Sequence, residues 1–425
     1  MAQIYEKVST MQNVYQTTWM ATLFFIHTNG KRRNQAKNIT IHLQVKMIMP
    51  KFVVQFNNSS IILTMQNVNF DQIMPQFKID GKVTSIKPLG NGLINDTYKV
   101  DTEGDKPNYV LQRINDAIFT NVDLLQHNID VVTRHIRHKL EERGESDINR
   151  KVLRFMETLD GKSYYKDDEG RYWRVMEFIP RAQTFETVDP KYSYLAGVAF
   201  GDFEQMLTDV PEELGDTIPN FHNMEYRMQQ LHEVISQDPV GRVDGVRDIL
   251  DLFERDAERM CMAERLHREG KLPKRICHCD TKVNNMMFDA DDGHFLLVID
   301  LDTVMPSLFY SDYGDFLRSA ANTTAEDDPH LDNVQFNVEI FKAFTKGYIE
   351  SAGKFLTPLE RELLPYAVEL FPFMQSVRFM WDYLSGDHYW KCKYPTHNLD
   401  RSRNQLKLYQ EVCKHEALMK EFISI

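Results

Sequence analysis

Short stretches of alternating or clustered hydrophobic residues follow Met65, and they predict β-strands separated by polar turns. The predicted strands cover residues 83–86, 96–100, 109–114, 151–156 and 172–179. A stretch with apolar residues at helical spacing, residues 122–143, predicts one helix after the third strand. These elements together predict a small β-rich lobe over residues 65–180.

Beyond residue 180 the hydrophobic residues recur mostly at the spacing of amphipathic helices. The predicted helices cover residues 192–207, 246–268, 333–353 and 359–383. In the first of them, Gly197 and Gly201 leave room for a neighbouring helix to approach closely. The predicted fold class is therefore α+β, with the β-rich lobe followed by a larger helical lobe over residues 181–425.

Residues 1–64 differ from the remainder in charge and in pattern. Seven Lys or Arg residues and one acid give them a charge of +6, so the other residues carry −18 of the total charge of −12. Their compact apolar run, residues 19–26, is too short to span a bilayer, and no basic segment precedes it as in a signal peptide. We expect residues 1–64 to be an extension that is poorly structured or results from an upstream start.

Composition narrows the class of protein. Hydrophobic residues make up 42% of the chain and charged residues 26%, which is typical of a globular protein. The acidic body argues against binding to nucleic acid, and no segment predicts insertion into a membrane. Five cysteines are too few and odd in number for a disulfide framework, so we expect a cytoplasmic location.

Three polar side chains have the spacing that phosphoryl transfer requires. Asp280 and Asn285 are five residues apart on one loop, and Asp300 ends a predicted hairpin that returns it beside Asn285. In such a loop one acid accepts the proton of a hydroxyl group, while the amide and the second acid hold a magnesium ion. Taken alone, Asp280 also fits a helix cap or a surface turn. The arrangement of all three favours the catalytic interpretation.

Residues near this loop have two interpretations each. Lys282 has the charge to neutralise the γ-phosphate of a nucleotide, or it is simply a solvated side chain. Asp302 either supports the metal site or caps a turn, and His278 is expected to brace the loop by hydrogen bonds. A glycine-containing turn, residues 90–95, can present backbone N–H groups to phosphates, although any tight hairpin would look alike.

From about Met65 to its end, the chain resembles the aminoglycoside phosphotransferase-like family of small-molecule kinases. Within that family it looks most like the N-acetylhexosamine 1-kinases. The strings that carry the resemblance are GNGLINDTY, YVLQRIN, WRVMEFI, HCDTKVNN, VIDLDTVMP, DYGDFLR and RFMWDYLSGDHYWKCKYPTHNLDRSRNQLKL. It implies a two-lobed protein-kinase-like fold that clamps ATP and Mg²⁺ between the lobes and binds a small-molecule sugar in the helical lobe.

The resemblance also implies roles for individual residues. Asp280 matches the catalytic base, which also contacts the substrate, and Asn285 and Asp300 match the magnesium ligands. Arg378 and Tyr389 match positions that bind the sugar. The positions implied for nucleotide binding are Gly90, Gly92 and Asn95 in the turn, Glu177, Phe178 and Ile179 in the connector between the lobes, and Lys282.

One position departs from the pattern of many kinases. Gln112, followed by Arg113, stands on the third strand where those enzymes have a lysine. The sugar 1-kinases that the chain resembles also lack that lysine. The group that neutralises the α- and β-phosphates is therefore left open.

The C-terminal string has a physical interpretation of its own. It mixes aromatic rings with charged groups, and sugars bind to that mixture because their faces stack on rings while their hydroxyls meet charged groups. Arg378 and Asp382 are also spaced for an ordinary i,i+4 ion pair on a helix. We therefore predict an N-acetylhexosamine 1-kinase. The alternatives are a kinase of the same fold that acts on an amino alcohol, homoserine or an aminoglycoside, and a non-catalytic nucleotide- or sugar-binding module.

Overall fold

A computed structural model describes residues 48–49, 52–57, 60–65, 68–90, 94–185 and 187–424. Contacts between residues divide the chain into two units, residues 1–70 and residues 71–425. In the first unit, strands β1 (Ile48–Met49), β2 (Phe52–Asn57) and β3 (Ser60–Met65) form an antiparallel sheet in that order. The expected extension over residues 1–64 lies largely outside the described residues, and its boundary stays a prediction.

The β-rich lobe of the second unit is a five-stranded antiparallel sheet. Its spatial order is β4-β5-β6-β8-β7, and a short helix, α1 (Phe70–Ile73), precedes it. The strands are β4 (Val83–Pro88), β5 (Asp96–Thr102), β6 (Tyr109–Ile114), β7 (Tyr165–Lys166) and β8 (Tyr172–Glu177). Val100, Leu111 and Val175 are completely buried, as expected for strands whose hydrophobic side chains face a core.

The strand predicted over residues 151–156 is wrong. This segment runs beside β8 and hydrogen-bonds to it, from Met156 N–H to the Val175 carbonyl (2.8 Å) and from Glu177 N–H to the Arg154 carbonyl (2.9 Å). Only one isolated bridge, between Phe155 and Met176, results. The hydrophobic residues of the segment therefore reflect burial against the sheet rather than a regular strand.

Helix α2 (Val122–Glu142) follows β6, as its hydrophobic spacing predicts. The Asn121 side chain accepts a hydrogen bond from the N–H of Leu124 and so caps the helix. Leu125, Ile129 and Val132 are fully buried on one face, which anchors the helix in the main hydrophobic core.

The helical lobe contains two helices that cross in close contact, α3 (Pro190–Met206) and α8 (Val338–Ala352). A Cβ atom on Gly197 would lie 2.1 Å from the Phe344 carbonyl oxygen, so only glycine allows this approach. The predicted close approach at this helix is therefore confirmed.

The other helices of this lobe surround α10 (Leu364–Ser385), which is buried along most of its length. They are α4 (Met224–Gln237), α5 (Arg247–Met260), α6 (Met262–Arg268), α7 (Tyr310–Ala320), α9 (Pro358–Glu362), α11 (His397–Cys413) and α12 (Glu416–Ser424). The single helix predicted over residues 246–268 is in fact two, because the chain bends at Cys261. No helix in the described part of the chain has the length and low polarity needed to cross a bilayer.

Short strands carry the functional loops. Strand β10 (Arg275–Cys277) pairs with β13 (Met305–Ser307), and β11 (Met286–Asp289) pairs with both β12 (Phe295–Val298) and β9 (Ala182–Gln183). The β11–β12 hairpin is the one expected from the sequence.

Candidate active site

Helix α7 holds the loop that follows β10 in place by hydrogen bonds. Asp312 accepts hydrogen bonds from the N–H groups of His278 and Cys279, both at 2.7 Å. Its backbone carbonyl also accepts a hydrogen bond from the Thr281 hydroxyl, at 2.8 Å. Cys279 has a φ of 63°, a left-handed conformation that costs energy in a non-glycine residue. The Asp312 contacts stabilise this turn. The next residue, Asp280, is partly exposed.

His278 braces the loop and does not face the cleft. It is completely buried, and its ring packs edge-on against the rings of Phe200 and Phe203, with a centroid distance of 5.9 Å in each pair. Its Nε2 lies 2.8 Å from the Ile299 carbonyl oxygen and must donate there, since a carbonyl only accepts. The structure therefore agrees with the bracing role expected for His278.

Asp280, Lys282 and Asn285 form one polar group in the cleft. The Lys282 ammonium lies 2.6 Å from Oδ1 of Asp280. The Asn285 Nδ2 donates to the Asp280 carbonyl (2.8 Å) and to its Oδ2 (3.2 Å). The carboxamide oxygen of Asn285 has no hydrogen-bond donor among the described residues, which leaves it available to a cation.

Asp300 follows β12 and meets this group because the Ile299 N–H donates to the Asn285 carbonyl, at 2.8 Å. Asp300 also has a left-handed φ, 60°. Within the described part of the chain its carboxylate has neither an ion-pair nor a hydrogen-bond partner. Desolvation by the surrounding protein, and then the negative charges of Asp302 and Asp280, raise its pKa to about 6. At neutral pH it is still largely ionised.

These oxygen atoms fit a magnesium ion. The Asp300 carboxylate and the Asn285 carboxamide oxygen are hard oxygen donors, the kind that Mg²⁺ takes. Desolvation and the negative charges of Asp302 and Asp280 raise the pKa of Asp300, and a bound cation would offset both effects. The donor set of Asn285 and Asp300 is therefore chemically suited to the predicted metal, and their role as its ligands stays a prediction.

Asp302 is buried and bound by two residues of the β-rich lobe. Its Oδ1 lies 2.6 Å from Nη1 of Arg174, and its Oδ2 accepts a hydrogen bond from Nδ2 of Asn95 at 2.7 Å. The other end of the Asn95 side chain accepts from the N–H of Asn115 at 3.0 Å. Both polar ends of Asn95, predicted to bind the nucleotide, thus have partners within the protein.

The glycine turn is described in part. Gly90 has a φ of 68°, and no atom lies within 4 Å of the position a Cβ would take, so this side of the turn is open. Gly92, also predicted to bind the nucleotide, lies outside the described residues. The turn joins β4 to β5, as the sequence predicts.

The connector after β8 presents one residue with free backbone groups. Glu177 is the last residue of the strand, and its side chain lies 3.3 Å from Nη1 of Arg154. The Phe178 N–H donates to the Asn108 carbonyl at 2.9 Å and is therefore occupied. In the described structure, the N–H and carbonyl of Ile179 make no hydrogen bond. Of the three predicted connector residues, Ile179 has the groups an adenine edge needs.

Arg378 lies on α10 between two aromatic rings. The centre of its guanidinium is 5.2 Å from the Phe221 ring centroid and 5.3 Å from the Trp390 ring centroid. Its Nη1 donates to Oε1 of Gln375 at 3.0 Å. No carboxylate of the described residues lies within 4.0 Å of it, so the i,i+4 pair with Asp382 does not form.

Asp382 instead shapes the loop that carries Tyr389. Its carboxylate accepts hydrogen bonds from the N–H groups of His388 (2.9 Å), Tyr389 (2.8 Å) and Trp390 (3.0 Å). Asn398 donates to it as well, at 2.8 Å. The Tyr389 side chain is 49% exposed and its ring lies 4.6 Å from that of Trp390. A half-exposed aromatic side chain on a firmly held loop is suited to stacking against a ligand.

Residues 85–344, well over half of the chain, match the model of the phosphotransferase enzyme family. The match includes the β-rich lobe, the catalytic loop and the β11–β12 hairpin. The chain belongs to this family. The predicted phosphotransferase family is thereby confirmed, while the specific acceptor is a separate question.

Solved structures of other phosphotransferases and kinases are similar to this phosphotransferase. An aminoglycoside phosphotransferase from Alicyclobacillus acidocaldarius is similar with a TM-score of 0.55 at 13% identity, over 85% of this chain and 98% of that one. A Plasmodium vivax ethanolamine kinase gives a TM-score of 0.46 at 13% identity, over 75% and 80% of the two chains. A choline/ethanolamine kinase family protein from Mesorhizobium loti gives 0.46 at 14% identity, over 80% and 93%. The first similarity confirms the predicted two-lobed, kinase-like α+β fold.

Two polar residues near Arg378 were not predicted as candidate site residues from the sequence. Arg227 donates to the Phe221 carbonyl at 2.6 Å, and burial followed by the charge of Arg378 lowers its pKa to about 9. His222 is buried, and its pKa is lowered well below the usual value by burial and then by the charges of Arg378 and Arg227. The negative charge of Asp280 acts to raise the pKa of His222. His222 and the two arginines near it therefore lie close to Asp280. No regular sequence spacing relates these residues to Arg378.

Proposed function

We propose that this phosphotransferase transfers the γ-phosphoryl group of ATP to the anomeric hydroxyl of an N-acetylhexosamine, with Mg²⁺ as its metal. The observation that carries the proposal is the Arg378 guanidinium, held between two rings beside Tyr389 and lacking a carboxylate partner among the described residues. Sugars present flat faces to aromatic rings and oxygen atoms to guanidinium groups. An acetamide oxygen is a neutral acceptor of this kind.

In the proposed reaction Asp280 accepts the proton of the sugar hydroxyl. The hydroxyl oxygen bonds to the γ-phosphorus as the bond between that phosphorus and the bridging oxygen of ADP breaks. Lys282, 2.6 Å from the Asp280 carboxylate, supplies positive charge next to the transferring group. The hydrogen bond from Asn285 to Asp280 orients the carboxylate toward the acceptor.

Asn285 and Asp300 would hold the magnesium ion, which when bound supplies positive charge to the phosphate oxygens. Ile179 would contact the adenine edge through its free backbone groups, with Glu177 and Phe178 forming the rest of the connector. The open side of the turn at Gly90 would face the phosphates, and Gly92 belongs to the same proposed turn. These assignments, like the cytoplasmic location expected for an enzyme that uses ATP, are part of the proposal.

The positive charges of Arg378 and Arg227, which form what we call the acceptor wall, weigh against ammonium-bearing acceptors. Cationic substrates need unpaired acids, whereas this wall contains Arg378 and Arg227. Asp315 and Glu326, whose charges act on Arg378, are each already paired with Arg318, at 2.8 Å and 2.6 Å. A kinase of the same fold that acts on an amino alcohol, homoserine or an aminoglycoside is therefore the second candidate.

The test is release of ADP across a panel of acceptors at equal concentration. We expect N-acetylglucosamine and N-acetylgalactosamine to support turnover, and choline, ethanolamine, homoserine and kanamycin to support little. Glucosamine is the informative control, because it replaces the neutral acetamide by an ammonium group on the same ring. Turnover of ethanolamine or choline in preference to every hexosamine would overturn the choice of acceptor.

The role of the base is tested separately. The variant Asp280→Asn keeps the size of the side chain but removes its basicity, so we expect turnover to fall by a factor of about 10³. ADP affinity, measured by calorimetry, should change less than twofold because the nucleotide contacts are kept. Activity close to that of the wild type would contradict the assignment of Asp280.

A further inference from the structure

A single buried arginine links three parts of the molecule. Arg174 lies in the middle of β8, directly opposite Gln112 of β6, and is 2% exposed. Its Nε and Nη2 donate to Oε1 of Gln112, at 3.0 and 2.8 Å. Its Nη1 donates to Oε1 of Gln126 on α2 at 3.2 Å and lies 2.6 Å from Oδ1 of Asp302. The sheet, the helix and the loop after β12 thus meet at one guanidinium.

Gln112 is hydrogen-bonded at both ends of its carboxamide within the protein. While its oxygen accepts from Arg174, its Nε2 donates to the Thr97 hydroxyl at 3.1 Å. The one N–H that remains is neutral and does not replace the charge of a lysine. The residue at the position of the usual third-strand lysine serves to hold the arginine of the neighbouring strand.

Both carboxylate oxygens of Asp302 are contacted from the β-rich lobe, one by Arg174 and the other by Asn95. The side chains of Arg174 and Asp302 are 2% and 4% exposed. Removing one member of such a buried pair leaves the other charge uncompensated, which is strongly unfavourable. The position of Asp302 therefore depends on the arginine, and Asp300 is only two residues away on the same turn.

We propose that Arg174 is a positioning residue for the metal site: by fixing Asp302 it sets the conformation of the turn that presents the Asp300 carboxylate to the metal–nucleotide complex. This role rests on the proposed function of Asp300 as a metal ligand, and it is independent of which acceptor is used. Because Arg174 is buried and its guanidinium is held by Gln112, Gln126 and Asp302, it acts on the metal site through Asp302. It thereby connects α2 and the sheet to the loop after β12.

The test is the variant Arg174→Met, which keeps an unbranched side chain and removes the charge. We measure Mn²⁺ binding to the enzyme–ADP complex by electron paramagnetic resonance, and ADP binding in EDTA by calorimetry. Loss of a residue that orients a metal ligand weakens metal affinity by about 10- to 100-fold, and we expect a loss in that range. ADP affinity without metal should change less than twofold.

Arg171→Met is the matched control. Arg171 pairs with Asp167 at 2.7 Å, and both side chains are 9% exposed, so another largely buried pair is lost directly before the same strand. We expect that variant to lose stability and to bind Mn²⁺ like the wild type. An equal loss of Mn²⁺ affinity in both variants would show that Arg174 contributes only stability. A fall in metal-free ADP affinity for Arg174→Met alone would show direct contact with phosphate. Either result overturns the proposal.

A second variant keeps the proposal testable if Arg174→Met does not fold. Asp302→Asn removes the partner charge and should weaken Mn²⁺ binding by a similar factor. Where both fold, the double variant should bind Mn²⁺ no more weakly than the weaker single variant, because both act through one pair. Independent, multiplying losses would contradict the proposal. Absence of Mn²⁺ binding in the wild-type complex would instead refute the proposed metal site itself.

Discussion

Glu369 gives a prediction whose size follows from the structure. It lies on α10, the helix that carries Arg378, and its side chain is completely buried beside the partly exposed Arg259. Desolvation raises its pKa to about 7 despite the opposing charge of Arg259, and the nearby Glu416 adds to the increase. The unfolded chain has an ordinary glutamate pKa of about 4.3.

The sign of the effect on stability follows from these two values. Between about pH 4.5 and pH 7 the folded protein keeps a proton on Glu369 that the unfolded chain has lost. The folded state therefore loses stability as the pH rises through this window. From pH 5 to pH 8 the loss amounts to about 2 to 3 kcal/mol by proton linkage.

The variant Glu369→Gln removes this proton uptake and keeps the shape of the side chain. Urea unfolding of both proteins at pH 5 and pH 8 isolates the contribution of Glu369 to stability, because the contributions of other acids cancel when the two proteins are compared. We expect the free energy of unfolding of the variant minus that of the wild type to be about 2 to 3 kcal/mol higher at pH 8 than at pH 5, because only the wild type loses this stability. The same pH dependence in both proteins would refute the reasoning.

Three further substitutions test other parts of the account. Lys282→Met should lower kcat by about 10²-fold, because it removes positive charge near the transferring group, and steady-state kinetics with saturating ATP would show whether it does. Arg378→Met should lower kcat/KM for N-acetylglucosamine by at least about tenfold and reduce the preference over glucosamine, whereas an unchanged ratio would count against the guanidinium as an acceptor contact. Gly197→Ala places a Cβ 2.1 Å from the Phe344 carbonyl and should lower stability by about 3 kcal/mol in thermal or urea unfolding, while Gly245→Ala, which meets no atom within 4 Å, serves as the control.

The arrangement of the loop that carries Asp280 and Asn285 could be predicted because its information is local, while the catalytic role of the loop stays a prediction. Asp280 and Asn285 are on one short loop, and a single hairpin brings Asp300 back to them, so spacing and turn residues suffice. The β-rich lobe was predicted for a similar reason, since four of its strands join neighbours in the sequence or carry clear hydrophobic patterns. The segment over residues 151–156 was wrongly predicted as a strand, because a segment buried against β8 has the same hydrophobic composition as a strand.

Contacts between distant segments could not be predicted in this way. The link from Arg174 to Asp302 requires the register of β6 against β8 and the placement of a loop more than one hundred residues away. The fold brings Arg227 near Arg378, although the two residues have no regular spacing in the sequence. The spacing of Asp382 and Arg378 also allowed an i,i+4 ion pair, but Asp382 instead accepts hydrogen bonds from three backbone N–H groups of the next loop.

The position of the transferred phosphate tests the central claim most directly. Wild-type enzyme, ATP, Mg²⁺ and N-acetylglucosamine are incubated, and the product is analysed by ³¹P NMR for coupling between phosphorus and the anomeric proton. The account predicts a sugar 1-phosphate that forms with the wild type and not with Asp280→Asn. A phosphate on another carbon, or no sugar phosphate while choline or ethanolamine is phosphorylated, would contradict it.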